Sequence, residues 1–479
     1  MSRLIVGPFN RVEGDLEVRL DIEDGQVRSA HVVAPMYRGF EQLLRGRAPL
    51  DALVIAPRIC GICSISQSVA AAEALRVCMD LDMPPNGRSV TNLLLSCENA
   101  ADHLTHFMLF FMPDFARPDY RGRAWHKTAS ARFTAMTGTS GREASAARLR
   151  LLHVVGILAG KWPHSLAIQP GGVTKSVDVG ERMRLMSILG EFRSYLERSI
   201  FADRLETVLE LDGEAALTLW RGKSGTKGDA GDFRLFLDIA DDLGLAGLGL
   251  GADQFLAYGG PLWTPGIWAE NTRLPLDLTT LTEDVSHAWY SNGNLHPADG
   301  ATLPDADRPD AYSWSKAPRL RGRATETGAV ARQLMAGQPL VRDMIAQSGG
   351  RASVRSRVVA RLLELAALVP MMEQLVMSLS ATGGYCGDAQ IPDAASGNGL
   401  VEAARGALGH WLAIQDGVID NYQVVAPTTW NFSPRDRWDC PGPLEQALTG
   451  VPVQAAETTP VLVQHVVRSF DPCMSCTVH

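Results

Sequence analysis

Hydrophobic and polar positions alternate between residues 15 and 34: Leu16, Val18, Leu20 and Ile22, then Asp24-Gly25, then Val27, Ala30 and Val32. A period of two interrupted by Asp-Gly predicts a β-hairpin that turns at Asp24-Gly25. From about residue 38 the apolar spacing becomes helical, with helices predicted at 38–46, 64–80, 88–112, 142–160, 178–210, 229–243, 353–380 and 400–411. The 353–380 segment is apolar around much of its circumference (Val358, Val359, Leu362, Leu363, Leu365, Ala366, Val369), which makes it a central helix, with a kink expected at Pro370. Residues 245–325, rich in Gly, Pro, Trp and Asp, predict irregular loops with short strands; 414–426 predict a strand pair, and 459–469 a last helix. Neither a repeat nor a linker-like segment divides the chain. The expected fold is mainly α, of α+β type: a long-helix bundle core with small peripheral β-sheets and irregular excursions, in one interwoven domain over 1–479.

Composition narrows the function. Hydrophobic residues make up 46% and charged residues 20% of the 479, which allows a sizeable core and excludes a disordered chain. The net charge is −8 and the basic residues are dispersed, so the concentrated basic footprint of a nucleic-acid binder is absent. Residues 1–8 lack the apolar run of a signal peptide. The most apolar helical stretch, 93–112, carries Glu98, Asp102 and two histidines and reads as a buried helix with no transmembrane segment.

Eight cysteines are too few for a disulfide scaffold, yet four fall in two Cys-x-x-Cys pairs. One is Arg58-Ile59-Cys60-Gly61-Ile62-Cys63; the other is Asp471-Pro472-Cys473-Met474-Ser475-Cys476, followed by Thr477-Val478-His479. A local zinc ribbon keeps its pairs within roughly 15–20 residues of each other. A thioredoxin-like site needs a single pair in a βαβ context. Spacing leaves two readings: a soft metal clamped where the chain ends meet, or two unrelated structural pairs. Cys78, Cys97, Cys386 and Cys440 lack such spacing and read as small hydrophobes.

The two cysteine segments resemble the signatures of the large subunit of nickel–iron hydrogenases. Arg11-Val12-Glu13-Gly14, Arg38-Gly39-Phe40-Glu41, Ala404-Arg405-Gly406-Ala407-Leu408-Gly409-His410 and Tyr422-Gln423 through Pro427-Thr428-Thr429-Trp430-Asn431 also resemble segments of that family, so the likeness runs from residue 11 to 479. It implies cleavage of H2 to two protons and two electrons at a NiFe(CN)2CO centre. Cys60 and Cys473 would be terminal nickel ligands, and Cys63 and Cys476 would bridge to the iron. Cys473 would take the first proton and Glu13 the next. Arg405 would lie over the open face of the metals, held by Asp102 and Asp471, and the Thr428 hydroxyl would donate to a cyanide. His479, Glu41 and the backbone carbonyl of Val424 would hold a second metal, Mg2+ or Fe2+. Taken without the resemblance, Glu13 reads as a surface ion pair, Arg405 as a helix-start salt bridge, Asp471 as a turn residue and Thr428 as strand packing. His103, His106, His126, His153, His164 and His410 read as structural.

Some positions depart from the common family pattern. Gln67 stands where most relatives place His, Ala404 where Pro is usual, Ile62 where Val is usual and Phe110 where Leu is usual. The chain also stops at His479. Together these resemble the H2-sensing regulatory hydrogenases, with Ile62 and Phe110 narrowing an apolar gas channel. That reading implies a cytoplasmic chain and a signalling kinase as partner. Under either role, no spare cysteine set is left for iron–sulfur clusters, so a small subunit carrying them is the expected partner. The alternatives are an ordinary respiratory uptake hydrogenase, exported with the small subunit to the periplasmic face, or a zinc-binding structural protein. A complex I-type relative without activity is disfavoured, because such chains have generally lost the cysteines.

Overall fold

The computed structural model describes residues 2–223, 231–260, 263–291, 293–454 and 457–479. The N-terminal sheet has the order β1 (Ser2–Val6), β2 (Glu17–Glu23), β3 (Gln26–Val33), all antiparallel. The β2–β3 hairpin turns at Asp24-Gly25, where both residues take positive φ. Strand β1 was not foreseen; it is short, exposed at its start, and gains its identity from pairing with β2. A short helix, α1 (Phe40–Leu44), follows.

The helical layer is built from α2 (Ser64–Cys78), α3 (Pro85–Thr105), α4 (Thr139–Ala159), α5 (Val179–Tyr195), α6 (Gly231–Asp242) and α7 (Val354–Ser378). The predicted 88–112 helix is α3 continued by a π-helical stretch, His106–Phe111, and it ends at Met112-Pro113. The predicted 178–210 helix breaks at Ala202, whose φ is positive, into α5 with its π-helical extension and a separate turn Leu205–Leu209. Asp178 and Glu181 form a capping box that fixes the start of α5. For the predicted 229–243 helix, residues 229–230 lie outside the described residues. Helix α7 is buried along most of its length and runs through Pro370 without ending.

The segment 400–411, predicted as helix, is instead a turn between two strands. Strands β4 (Ala395–Ala403), β5 (Gly406–Gln415) and β6 (Val418–Val425) form an antiparallel sheet in that order. The misreading has a physical cause: Val401, Ala403, Ala407 and Leu408 are all buried, so the period-two signature of a half-exposed strand is missing. Helix α2 lies directly on this sheet. A Cβ at Gly399 would fall 1.9 Å from the carbonyl oxygen of Ala70, so glycine is required there. Between α6 and α7 a four-stranded sheet is made from Gln254–Ala257, Gly266–Ala269, Thr272–Leu274 and Glu326–Thr327. The chain closes with α8 (Pro427–Asn431), α9 (Val461–Ser469) and α10 (Met474–Thr477). One hydrophobic cluster gathers residues from Val6 to Val478. No helix among the described residues is long and apolar enough to cross a membrane.

Candidate metal centre

The two cysteine pairs, at opposite ends of the sequence, converge. The sulfurs of Cys60, Cys63, Cys473 and Cys476 all lie within 4.8 Å of one another, and all four residues are buried. Cys60 Sγ is 3.5 Å from Cys473 Sγ, Cys63 Sγ is 3.3 Å from Cys476 Sγ, and Cys473 Sγ is 2.8 Å from Cys476 Sγ. A tetrahedral shell with metal–sulfur bonds near 2.3 Å spaces its sulfurs about 3.8 Å apart, so this set fits one or two soft metals. Hydrogen bonds shared among the thiols hold Cys60 well below the ordinary thiol range and push Cys63 and Cys476 well above it.

Backbone pairing brings the ends together. Glu13 forms a parallel bridge with Cys473; its N–H donates to Pro472 O at 3.4 Å, and its carbonyl accepts from Met474 N at 2.7 Å. Gly14 has positive φ and lies against Ser475, so a side chain there would be strained and crowded. Arg38, the first residue of the Arg-Gly-Phe-Glu segment, joins both motifs: its guanidinium donates to Ile59 O at 2.5 Å and to Ser475 O at 3.1 Å. Glu13 is half-buried and its carboxylate stands 3.5 Å from Ser475 Oγ. Burial, and then the Cys60 thiolate, raise its pKa. The Glu13 side chain thus lies beside the second cysteine motif, and no ion pair to it is found among the described residues.

Arg405 sits at the turn between β4 and β5. Its Nη1 donates to Asp102 Oδ2 at 2.5 Å, its Nη2 to Asp471 Oδ1 at 3.2 Å and its Nε to Asp471 O at 3.0 Å. All three residues are buried. Burial raises the Asp102 carboxyl to about 6, whereas at Asp471 burial is outweighed by Arg405, His106, Arg361 and His103 acting together, which lower it. Asp471 has positive φ ahead of Pro472, a conformation rare for a residue with a side chain. Thr428 lies in α8, not in a strand, and its Oγ1 accepts from Cys473 N at 3.1 Å. The hydroxyl proton therefore remains free to donate elsewhere.

His479, Glu41 and Val424 also come together. His479 Nε2 is 3.2 Å from Glu41 Oε1, and Val424 N donates to the same oxygen at 2.8 Å. The Val424 amide thus turns away from β5, and the carbonyl of a strand residue points to the same side as its N–H. Lys316 is an addition that the sequence did not announce. Its ammonium lies 3.4 Å from Glu41 Oε2, 3.4 Å from Glu283 Oε2 and 2.8 Å from Gln423 Oε1. Burial would raise the Glu41 carboxyl, but Lys316 and His479 hold it at about 2. Two buried carboxylates face one ammonium, and Glu283 Oε1 has no hydrogen-bond partner. This excess of oxygen donors fits a small divalent cation.

Gln67, one turn after Cys63 on α2, is buried and hydrogen-bonded to His410 Nε2 at 2.8 Å. Burial lowers His410 to about 3, so the ring is neutral; it donates from Nε2 to Gln67 Oε1 and accepts at Nδ1 from the Tyr422 hydroxyl at 2.7 Å. Ile62 is half-buried and packs against the main core; Phe110 is half-buried and is absent from that core, while its neighbour Phe111 is fully buried. The Phe110 carbonyl accepts from Arg11 Nη1 at 3.0 Å.

The likeness to known proteins agrees with this geometry. The family model described as nickel-dependent hydrogenase matches residues 38–141 and 143–479. The periplasmic [NiFeSe] hydrogenase large subunit of Desulfomicrobium baculatum is 30% identical, covering 100% of this chain and 95% of its own length. The hydrogenase-2 large chain of Escherichia coli is 26% identical over 100% of this chain and 97% of its own. The structure of the reduced Ni-Fe-Se hydrogenase from D. vulgaris Hildenborough superposes with a TM-score of 0.84 at 27% identity, covering 100% of both chains. The fold and the cysteine site define a nickel-dependent hydrogenase chain. The protein belongs to that family.

Proposed function

We propose that the protein is the catalytic large subunit of a nickel–iron hydrogenase that oxidises H2, working with a small subunit that carries iron–sulfur clusters. The observation that carries this is the meeting of four buried cysteine sulfurs from opposite ends of the chain, within electrostatic reach of the buried Arg405. A nickel and an iron held by those sulfurs, the iron with CO and cyanide, would supply heterolytic H2 cleavage. The remaining tasks fall to the chain's own side chains. Cys473 is the first proton acceptor. Glu13, half-buried and bridged by backbone to Cys473, receives the proton and passes it outward. Arg405, aligned by Asp102 and Asp471, presents a fixed positive charge where charge develops. Thr428 keeps a hydroxyl proton to donate to a cyanide while orienting the Cys473 amide. Magnesium, held by Glu41, His479 and the Val424 carbonyl, would anchor the last turn.

The uptake role is the better-supported one, since the uptake hydrogenase large subunits of Afipia carboxidovorans and Rhodobacter capsulatus are also similar to this chain, each 26% identical. The named periplasmic relative favours export alongside the small subunit over a cytoplasmic site. A sensing role, with a kinase as partner, is the second reading; Gln67 at the His410 contact and Ile62 beside Cys63 favour it. The purified two-subunit complex should reduce an artificial electron acceptor under H2 and not under argon; no H2-dependent reduction in a nickel-containing complex would overturn the proposal. Ile62→Val with Phe110→Leu separates the two roles. A gain of O2 sensitivity supports the sensor's narrowed gas path, whereas parent-like behaviour in air and under H2 leaves uptake.

A further inference from the structure

Helix α2 starts directly after Cys63, which occupies the N-cap position without a capping hydrogen bond from its side chain. A cysteine whose sulfur belongs to a metal site cannot also cap its own helix. The first turn is nonetheless deeply buried, Ser64, Ile65 and Ser66 being at most 1% exposed. Its free amide donors therefore need an acceptor from elsewhere.

Glu98, on α3, is that acceptor. One carboxylate oxygen accepts from Ile65 N at 2.8 Å and from Trp162 Nε1 at 3.2 Å. The other accepts from Ser66 N at 2.8 Å and from Ser66 Oγ at 2.9 Å. Ile65 and Ser66 are the second and third residues of the helix, the positions a capping side chain ordinarily serves. Burial pushes the Glu98 carboxyl up to about 8, while these donors and the positive end of the helix dipole favour its ionised form. Glu98 is 2% exposed and every one of its partners is a donor. We infer that Glu98 is a cap supplied in trans, a positioning residue that fixes the first turn of α2 and with it the Cys63 sulfur. The inference deepens the functional reading above and rests on it.

The chemistry explains why the cap comes from another helix. A local Ser, Thr or Asp cap would have to occupy residue 63, which the metal site claims for cysteine. Placing the carboxylate on α3 ties the cysteine's backbone to the helix that also carries Asp102, one turn further on. The two halves of the site then share one rigid support.

The test uses the full chain in complex with its small subunit and compares the parent with Glu98→Ala, Glu98→Gln and Glu445→Gln. Glu445 is an equally buried carboxylate that accepts from the amides of Val32 and Gly442, on segments that hold no site residue. Glu98→Ala is expected to carry at least about two-fold less nickel per chain, with the CO and cyanide infrared bands of its remaining centres shifted or broadened. Glu98→Gln keeps the volume but turns one accepting oxygen into an N–H2 group facing a donor; it is expected to keep nickel and shift the bands. Glu445→Gln is expected to match the parent in both. Parent-like nickel and bands in Glu98→Ala would overturn the inference, as would an equal nickel loss in Glu445→Gln. Should Glu98→Ala yield no complex, Glu98→Gln decides: shifted bands support the inference and parent-like bands overturn it. A parent complex without nickel would instead overturn the functional reading beneath it.

Discussion

Arg405 shows how far a single residue could be read in advance. Its motif placed it at the site, and the structure adds why it is held: two carboxylates from remote segments, Asp102 and Asp471, grip one guanidinium. Lysine keeps the charge but cannot form that fork. Arg405→Lys is expected to retain nickel and iron while losing about 100-fold in H2 oxidation, measured as kcat with an artificial acceptor. Glu13→Gln keeps the shape but not the proton-carrying group. It is expected to leave the metals bound and to abolish H2/D2O isotope exchange; normal exchange would remove Glu13 from the relay. Lys316 and Arg361 were not legible in the sequence. Each is an ordinary basic residue whose partners lie far along the chain: Lys316 meets Glu41, and Arg361 meets Asp471 at 3.3 Å. Long-range pairing leaves no local pattern, whereas a motif does.

At the scale of elements, the β2–β3 hairpin, α2, α4 and α9 lie close to their predicted limits. The hairpin and α4 each leave one face exposed, which gives a clear period. The β4–β5 turn was misread because both its faces are covered, and the break at Ala202 has no Gly or Pro to announce it. Helix α7 was read as central from its apolar faces alone, yet it also buries a charged cluster. Glu364 accepts from Arg332 at 2.7 Å and stands 2.9 Å from His103 Nε2, and none of the three is exposed. Burial would raise the Glu364 carboxyl, but Arg332 and His103 outweigh it and lower it from 4.5 to about 2. Its folded pKa lies below its unfolded one, so its stabilisation is fully present above the unfolded value. That stabilisation is lost as pH falls through the interval from 4.5 to about 2. Glu364→Gln is expected to destabilise the chain by about 3–5 kcal/mol at neutral pH and to flatten the acid limb of a plot of denaturation midpoint against pH. An unchanged acid limb would show that this cluster does not set acid stability.

Across the whole molecule, the defining feature is closure of the chain ends on one another. The N-terminal segment pairs with the last cysteine motif at Glu13, and Arg38 donates to the carbonyls of both motifs. His479 reaches Glu41 while its Nδ1 contacts Cys476 O at 2.6 Å. His479→Ala should therefore release the last turn and lower nickel occupancy without unfolding the helical core, read as nickel per chain alongside circular dichroism. Full occupancy would show that the turn holds without its histidine. We propose that the two distant cysteine pairs make one nickel–iron site. It is tested most directly by metal analysis together with an infrared spectrum of the purified two-subunit complex, for the parent and for Cys476→Ser. Nickel and iron in about equal amounts, with CO and cyanide bands, are expected in the parent, and loss of both metals and of the bands in Cys476→Ser. Zinc alone in the parent, or full nickel and iron in Cys476→Ser, would contradict it.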